Sequence, residues 1–266
     1  MKPESHRRTI GLVLGVFALL LLAACAEDGA SPTTQTATDS QTTTATAPTA
    51  PAARLELSLR DIRQPVIDHQ YQVAITICDE IIENYQKKLA QDQAEHADKS
   101  PIVNVVGLDQ ITLSAAYSAK AQIYALMGEF SLANQAIDDA DRVITIGNPV
   151  SNITRGFILE KQGDLAGAAK LYEADMGVFM GDGAESRDRL ALLAIKAGNV
   201  EDAKKYLGSD EAPTQQIVLG LIAIAEKDPD KAAADFKRAS DLIADPGTGN
   251  PTLPISYCEE VPALTK

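Results

Sequence analysis

Hydrophobic and polar positions change rhythm three times along this chain of 266 residues. From Thr9 to Leu22 the residues are apolar without interruption. From Ala26 to Ala53 they are dominated by Thr, Ala, Ser, Gln and Pro with no large apolar side chain, too little apolar surface to fold on. Beyond that, apolar and small residues recur at three- and four-residue spacing, the signature of amphipathic helices. Tyr117, Ala121 and Tyr124 precede Gly128 on such a stripe, and Phe130, Ala133, Ile137 and Ala140 follow it on another, which predicts two helices folded back at the glycine. Gly163 repeats the arrangement, with Gly156 and Leu159 before it and Leu165, Ala168 and Tyr172 after it. Gly198 repeats it again, between Leu190, Ala191 and Ala194 on one side and Val200, Ala203 and Leu207 on the other. These turns stand at a constant interval of 35 residues. A fourth unit, with Leu219, Gly220, Ala223, Ala232, Phe236 and Ala239, turns at Lys227-Asp228-Pro229, only 29 residues after Gly198.

The residue types suit these places. Small side chains at Ala121, Gly156, Ala191 and Gly220 let each first helix approach its partner, and Ala133, Ala168, Ala203 and Ala232 do so from the second. The turn glycines can take positive φ where a helix must stop, and Asp164, Asn199 and Asp228 stand where a second helix needs a cap. Asn148-Pro149 and Asp228-Pro229 read as a cap followed by proline at the first helical position. Tyr71, Ala74, Cys78 and Ile81 fit the second helix of an earlier, degenerate unit whose first helix is interrupted by Pro65. That helix continues through Tyr85 and Leu89 until Ser100-Pro101 and Gly107 break the chain, and Asp109 opens the next.

This pattern, over roughly residues 114–244, resembles the tetratricopeptide repeat (TPR) family, whose period is about 34 residues. The resemblance implies an all-α fold, a right-handed α-solenoid of about four to five helical hairpins filling residues 54–245. Asp175 and Asp210 depart from it, standing where the family has a small residue. In that family the first helices line an inner face that binds peptide segments or protein elements. The corresponding positions here are Ser118, Gln122 and Leu126; Ile153, Phe157 and Lys161; Asp188, Leu192 and Lys196; and Ile217, Leu221 and Ile224. The later half of this groove is apolar and lacks the Lys/Asn cluster that holds a terminal carboxylate in some members. Residues 246–266 form a tail whose prolines at 246, 251, 254 and 262 forbid a regular helix, and whose Leu253, Ile255, Tyr257, Val261 and Leu264 offer apolar anchors. An extended strand lying in the groove is the expected arrangement.

The N-terminus addresses the chain. A basic start through Arg8, a 14-residue apolar run too short to span a bilayer, and small residues after it make residues 1–24 a signal peptide. Leu22-Ala23-Ala24-Cys25 resembles the bacterial lipobox, which implies that Cys25 becomes the first mature residue and carries lipid. Ala26, rather than Asp, follows it, which by the same resemblance implies sorting to the outer membrane facing the periplasm in a Gram-negative cell. Residues 25–53 are then a flexible tether with a reach of roughly 30 Å. About 210 residues remain beyond signal and tether, enough for one helical domain.

Composition narrows the function. Net charge is −13 and becomes −15 without the signal segment, which argues against nucleic acid and anionic lipid surfaces as partners. After the signal, the only histidines are His69 and His96, and no paired metal-ligand motif or phosphate-cradling loop stands out, so neither catalysis nor a cofactor is expected. Gly181-Asp182-Gly183 reads as a joint between units. Cys78 and Cys258 would meet an oxidising compartment and are candidates for a disulfide, although pairing needs Cα atoms within about 7 Å, which a long row of hairpins opposes. The expected role is a non-catalytic adaptor or scaffold for other envelope proteins. Its rivals are a fixed structural subunit of a secretion, pilus or outer-membrane assembly complex, and an unrecognised hydrolase. Oligomeric state and cell type stay open.

Overall fold

The computed structural model describes residues 57–95, 107–144, 148, 150–176, 183–208, 212–244 and 254–263. The expected signal peptide, Cys25 and the expected tether lie outside the described residues, as do His96, Asp210, Gly181-Asp182 and residues 246–253 and 264–266 of the tail. Every described element is helical: α1 (Arg63–Ile67), α2 (Tyr71–Glu95), α3 (Leu108–Leu126), α4 (Phe130–Val143), α5 (Ser151–Gln162), α6 (Leu165–Met176), α7 (Ala184–Lys196), α8 (Val200–Tyr206), α9 (Pro213–Ala225), α10 (Pro229–Ala244) and a C-terminal 3-10 helix (Ile255–Ala263). They pack as successive pairs, α3 with α4, α5 with α6, α7 with α8 and α9 with α10, and each pair packs on the next.

The four reversals share one geometry. Gly128, Gly163 and Gly198 have φ of 78°, 87° and 77°, and Lys227 takes the same left-handed conformation at 64°. In each, the next amide reaches back to the carbonyl five residues earlier: Glu129 to Tyr124, Asp164 to Leu159, Asn199 to Ala194 and Asp228 to Ala223, at 2.8–2.9 Å. This is the Schellman closure, which satisfies carbonyls that a helix end leaves open. The three expected caps also form. Asp164 accepts from the Gly167 amide at 2.9 Å, Asn199 from Asp202 at 3.3 Å, and Asp228 from Lys231 at 3.0 Å. Asn148 differs from expectation. Helix α5 begins at Ser151, and the Asn148 side chain instead accepts from the Val150 amide and donates to Asp141 across the loop.

Small residues are where close packing requires them. A Cβ built on Gly156 would stand 2.5 Å from the Tyr172 ring, and one on Gly220 2.5 Å from the Phe236 ring. Ala121, Ala133, Ala168, Ala191 and Ala203 are completely buried. Asp175, the departure from the small-residue pattern, accepts the Ser186 hydroxyl at 2.6 Å and so ties α6 to α7 by a hydrogen bond in place of a close contact. Helix α1 is a five-residue stub, and Pro65 lies in its first turn, where a missing N–H costs nothing.

The tail is not the extended strand expected from its prolines. Its C-terminal part winds into the 3-10 helix, with Pro262 at the closing turn, where few backbone donors need partners. Tyr257 and Cys258 are fully buried, and this segment packs on α1, α3 and α9. It thereby joins one apolar cluster containing Ile62, Ile75, Cys78, Ile217 and Ile222.

Candidate functional site

The face of the first helices carries the candidate site, and the chain's own C-terminal segment is seated on it. Helix α7 provides the centre. Arg189 is 1% exposed, and its guanidinium bonds the Glu160 carboxylate of α5 and donates to the Ser256 carbonyl at 3.2 Å. Its central carbon lies 5.0 Å from the Phe157 ring centre and 5.2 Å from that of Tyr257, so the cation has two aromatic rings within cation–π reach. Glu160 also accepts from Lys196 at 2.8 Å and from the Tyr172 hydroxyl at 3.2 Å. Burial pushes the Glu160 carboxyl up, but the Arg189 and Lys196 charges outweigh it and hold the group below the usual carboxylate range. The same carboxylate overcomes burial at Arg189 and keeps it firmly charged.

Around this centre the segment is gripped along its length. Ser256 donates its hydroxyl to Glu185 at 3.0 Å, Lys161 pairs with Glu259, and Lys196 stands 3.6 Å from Glu260. Burial raises the Glu185 carboxyl to about 7, against the lowering effects of Ser256 and Arg189. The arrangement can do what a peptide site does: it orders a backbone carbonyl, seats an aromatic ring and pairs acidic side chains with lysines.

The twelve residues expected to line an open groove are therefore distributed differently. Ser118, Gln122, Phe157, Asp188, Leu192 and Ile217 are buried, with Gln122 donating to Thr154 at 3.1 Å and Asp188 accepting from Thr214 at 2.6 Å. Leu126, Ile153, Lys161 and Leu221 are half-buried. Only Lys196 and Ile224 are exposed, Ile224 at 55%. Side-chain contacts with neighbouring helices and the returning C-terminal segment bury most of what periodicity presents as a free face. The disulfide considered for Cys78 and Cys258 is absent: both are free, buried thiols, each pushed up to about 12 by burial.

Tyr257 is one of the expected apolar anchors of the tail, whereas Glu160, Arg189 and Ser256 were not among the expected site residues, though two of them leave a trace. One repeat before Glu160 stands Ala125, and one and two repeats before Arg189 stand Thr154 and Ala119, all buried. A charge in a register that is otherwise small or neutral and buried marks a network.

Among the described residues no helix is long and apolar enough to cross a membrane, and no cluster of His, Cys, Asp and Glu could hold a metal ion. Comparison with family models and with curated proteins finds no match to this sequence.

Proposed function

We propose that this chain is a non-catalytic adaptor of the bacterial envelope, a TPR-like right-handed α-solenoid held to the membrane by lipid on Cys25, with the outer membrane's periplasmic face as its place. The observation that carries the reading is the occupant of the first-helix face. A short acidic segment with one buried tyrosine sits there, held by Arg189, Lys161 and Lys196. A face that accepts such a segment from its own chain has the chemistry to accept one from another protein.

Partner capture on this face requires the segment to leave it. The test is crosslinking in intact cells from photoreactive residues at positions 161 and 196, in the whole chain and in a chain lacking residues 247–266. Stronger partner crosslinks and greater binding of an apolar dye are expected after deletion. Identical crosslinks and dye signal in both chains would refute the reading.

A second reading, a subunit fixed permanently in an assembly, is favoured by a different observation. Val73 on α2 and Leu108 and Ile111 on α3 are exposed at 49%, 81% and 42%. That role predicts co-purification with its partners at high salt and crosslinks centred on these positions.

A further inference from the structure

The C-terminal segment fills its seat with one polar atom left over. Tyr257 is fully buried, with its ring centre 5.2 Å from the central carbon of the Arg189 guanidinium, and its hydroxyl has no hydrogen-bond partner among the described residues. Burial pushes the phenol well up, so the hydroxyl keeps its proton and holds it unpaired. Tyr172, in the same network and equally buried, donates to Glu160 at 3.2 Å. A buried hydroxyl without a partner carries the whole loss of its hydration, whereas the ring that bears it gains from burial and from the cation beside it.

The other polar contacts of the segment are matched. The Ser256 carbonyl accepts from Arg189 at 3.2 Å and its hydroxyl donates to Glu185 at 3.0 Å. Glu259 pairs with Lys161, and Glu260 stands 3.6 Å from Lys196. Ile255 and Cys258 are buried. The seat therefore reads, in order, an apolar residue, a serine, an aromatic ring, a small apolar residue and two acids, and the hydroxyl on the ring is the misfit. Taking away the hydroxyl and keeping the ring gives phenylalanine. An aliphatic side chain would forgo the cation–π contact, and tryptophan would overpack a fully enclosed position.

We infer that the partner taken on this face is an acidic polypeptide segment with phenylalanine in the seat of Tyr257 and acidic residues two and three positions after it, and that residues 254–263 are a displaceable stand-in for it. The inference rests on the reading of this face as a place for another protein. An occupant tethered to its own site has the advantage of a high effective concentration, and the unpaired hydroxyl offsets part of that advantage.

Two peptides copy residues 254–263, one as it stands and one with phenylalanine in place of the tyrosine, and are titrated under reducing conditions into the isotope-labelled whole chain. The phenylalanine peptide should drive the amide resonances of the chain's own segment to their released positions at about tenfold lower concentration than the tyrosine peptide. Within the chain, Tyr257→Phe should slow amide exchange in residues 255–260 about tenfold, because the resident segment then leaves its seat less often. Equal midpoints for the two peptides, or exchange in Tyr257→Phe no slower than in the parent, overturn the inference and leave the adaptor reading standing. Segment resonances unmoved by either peptide at millimolar concentration overturn both.

Discussion

Replacing Gly156 by alanine tests the close approach of paired helices more sharply than any truncation. The added Cβ would stand 2.5, 2.9 and 3.0 Å from three atoms of the Tyr172 ring. Carbon atoms rest at about 3.5–4.0 Å, so the ring must retreat by about 1 Å. Tyr172 is fully buried and its hydroxyl donates to Glu160, the carboxylate that holds Arg189, so the retreat disturbs the buried network. Overpacking of this kind costs about 1–3 kcal/mol, here toward the upper end, about 2–3 kcal/mol, because the ring is enclosed and tethered, and alanine recovers about 1 kcal/mol of helix propensity over glycine. At Gly220 the new Cβ would meet Phe236 at the same 2.5 Å, but that ring is half-buried and has no hydroxyl to hold it. It can swing toward solvent at small cost. Gly156→Ala should therefore lose about 1–2 kcal/mol, a melting-temperature drop of roughly 2–8 °C for a domain of this size, while Gly220→Ala stays near neutral. Urea unfolding followed by far-ultraviolet circular dichroism reads both. A Gly156→Ala chain as stable as the parent, or a Gly220→Ala chain that loses more, would refute the steric reasoning.

Other perturbations address the turns, the network, the pH response and the anchor. Gly163→Ala should cost about 1 kcal/mol through its φ of 87° alone, since no atom lies within 4 Å of the new Cβ, and Lys227→Gly should gain up to about 1 kcal/mol at the equivalent turn; urea midpoints check both. Glu160→Gln leaves Arg189 buried without its counter-charge and should cost about 3–5 kcal/mol by the same assay. The Glu185 carboxyl lies near 7 in the folded chain and near 4.5 when unfolded, so the folded state holds the extra proton. Its burial costs nothing below the lower value, and stability falls as pH rises between the two and then levels off. Glu185→Gln should remove that decline, and urea midpoints for parent and variant that run parallel across pH 4.5 to 7 would contradict it. On the proposed lipidation of Cys25, Cys25→Ser should abolish labelling with a fatty-acid analogue and shift the protein from the membrane fraction to the soluble one, and fractionation with labelling unchanged by the substitution would refute it.

Much of the fold is legible because its rules are local. A glycine with helical stripes on both sides specifies a reversal, and Gly128, Gly163 and Gly198 adopt the same closure. Even Lys227 follows, because a Schellman closure needs a left-handed residue and the surrounding hairpin can impose it on a lysine. Gly156 and Gly220 reveal their purpose by position alone, since the ring each accommodates lies sixteen residues on.

The site is less legible because its contacts are remote in sequence. Nothing near Arg189 in the chain indicates Ser256 or Glu160, and nothing near Ser256 indicates Glu185. Helical periodicity states that Phe157, Leu192 and Ile217 share a face, but it does not say what covers that face. The prolines of the tail argue against any regular helix, yet residues 255–263 wind into a 3-10 helix.

The return of residues 254–263 onto α1, α3 and α9 also sets the timetable of folding. Each hairpin can close as soon as its second helix is made, because its contacts span a few tens of residues. The seam between α1, α3 and α9 waits for the 3-10 helix that follows them all in the chain. Successive helix pairs are thus fastened to one another by residues 254–263, and a chain interrupted shortly before them would forfeit that unity along with a tail.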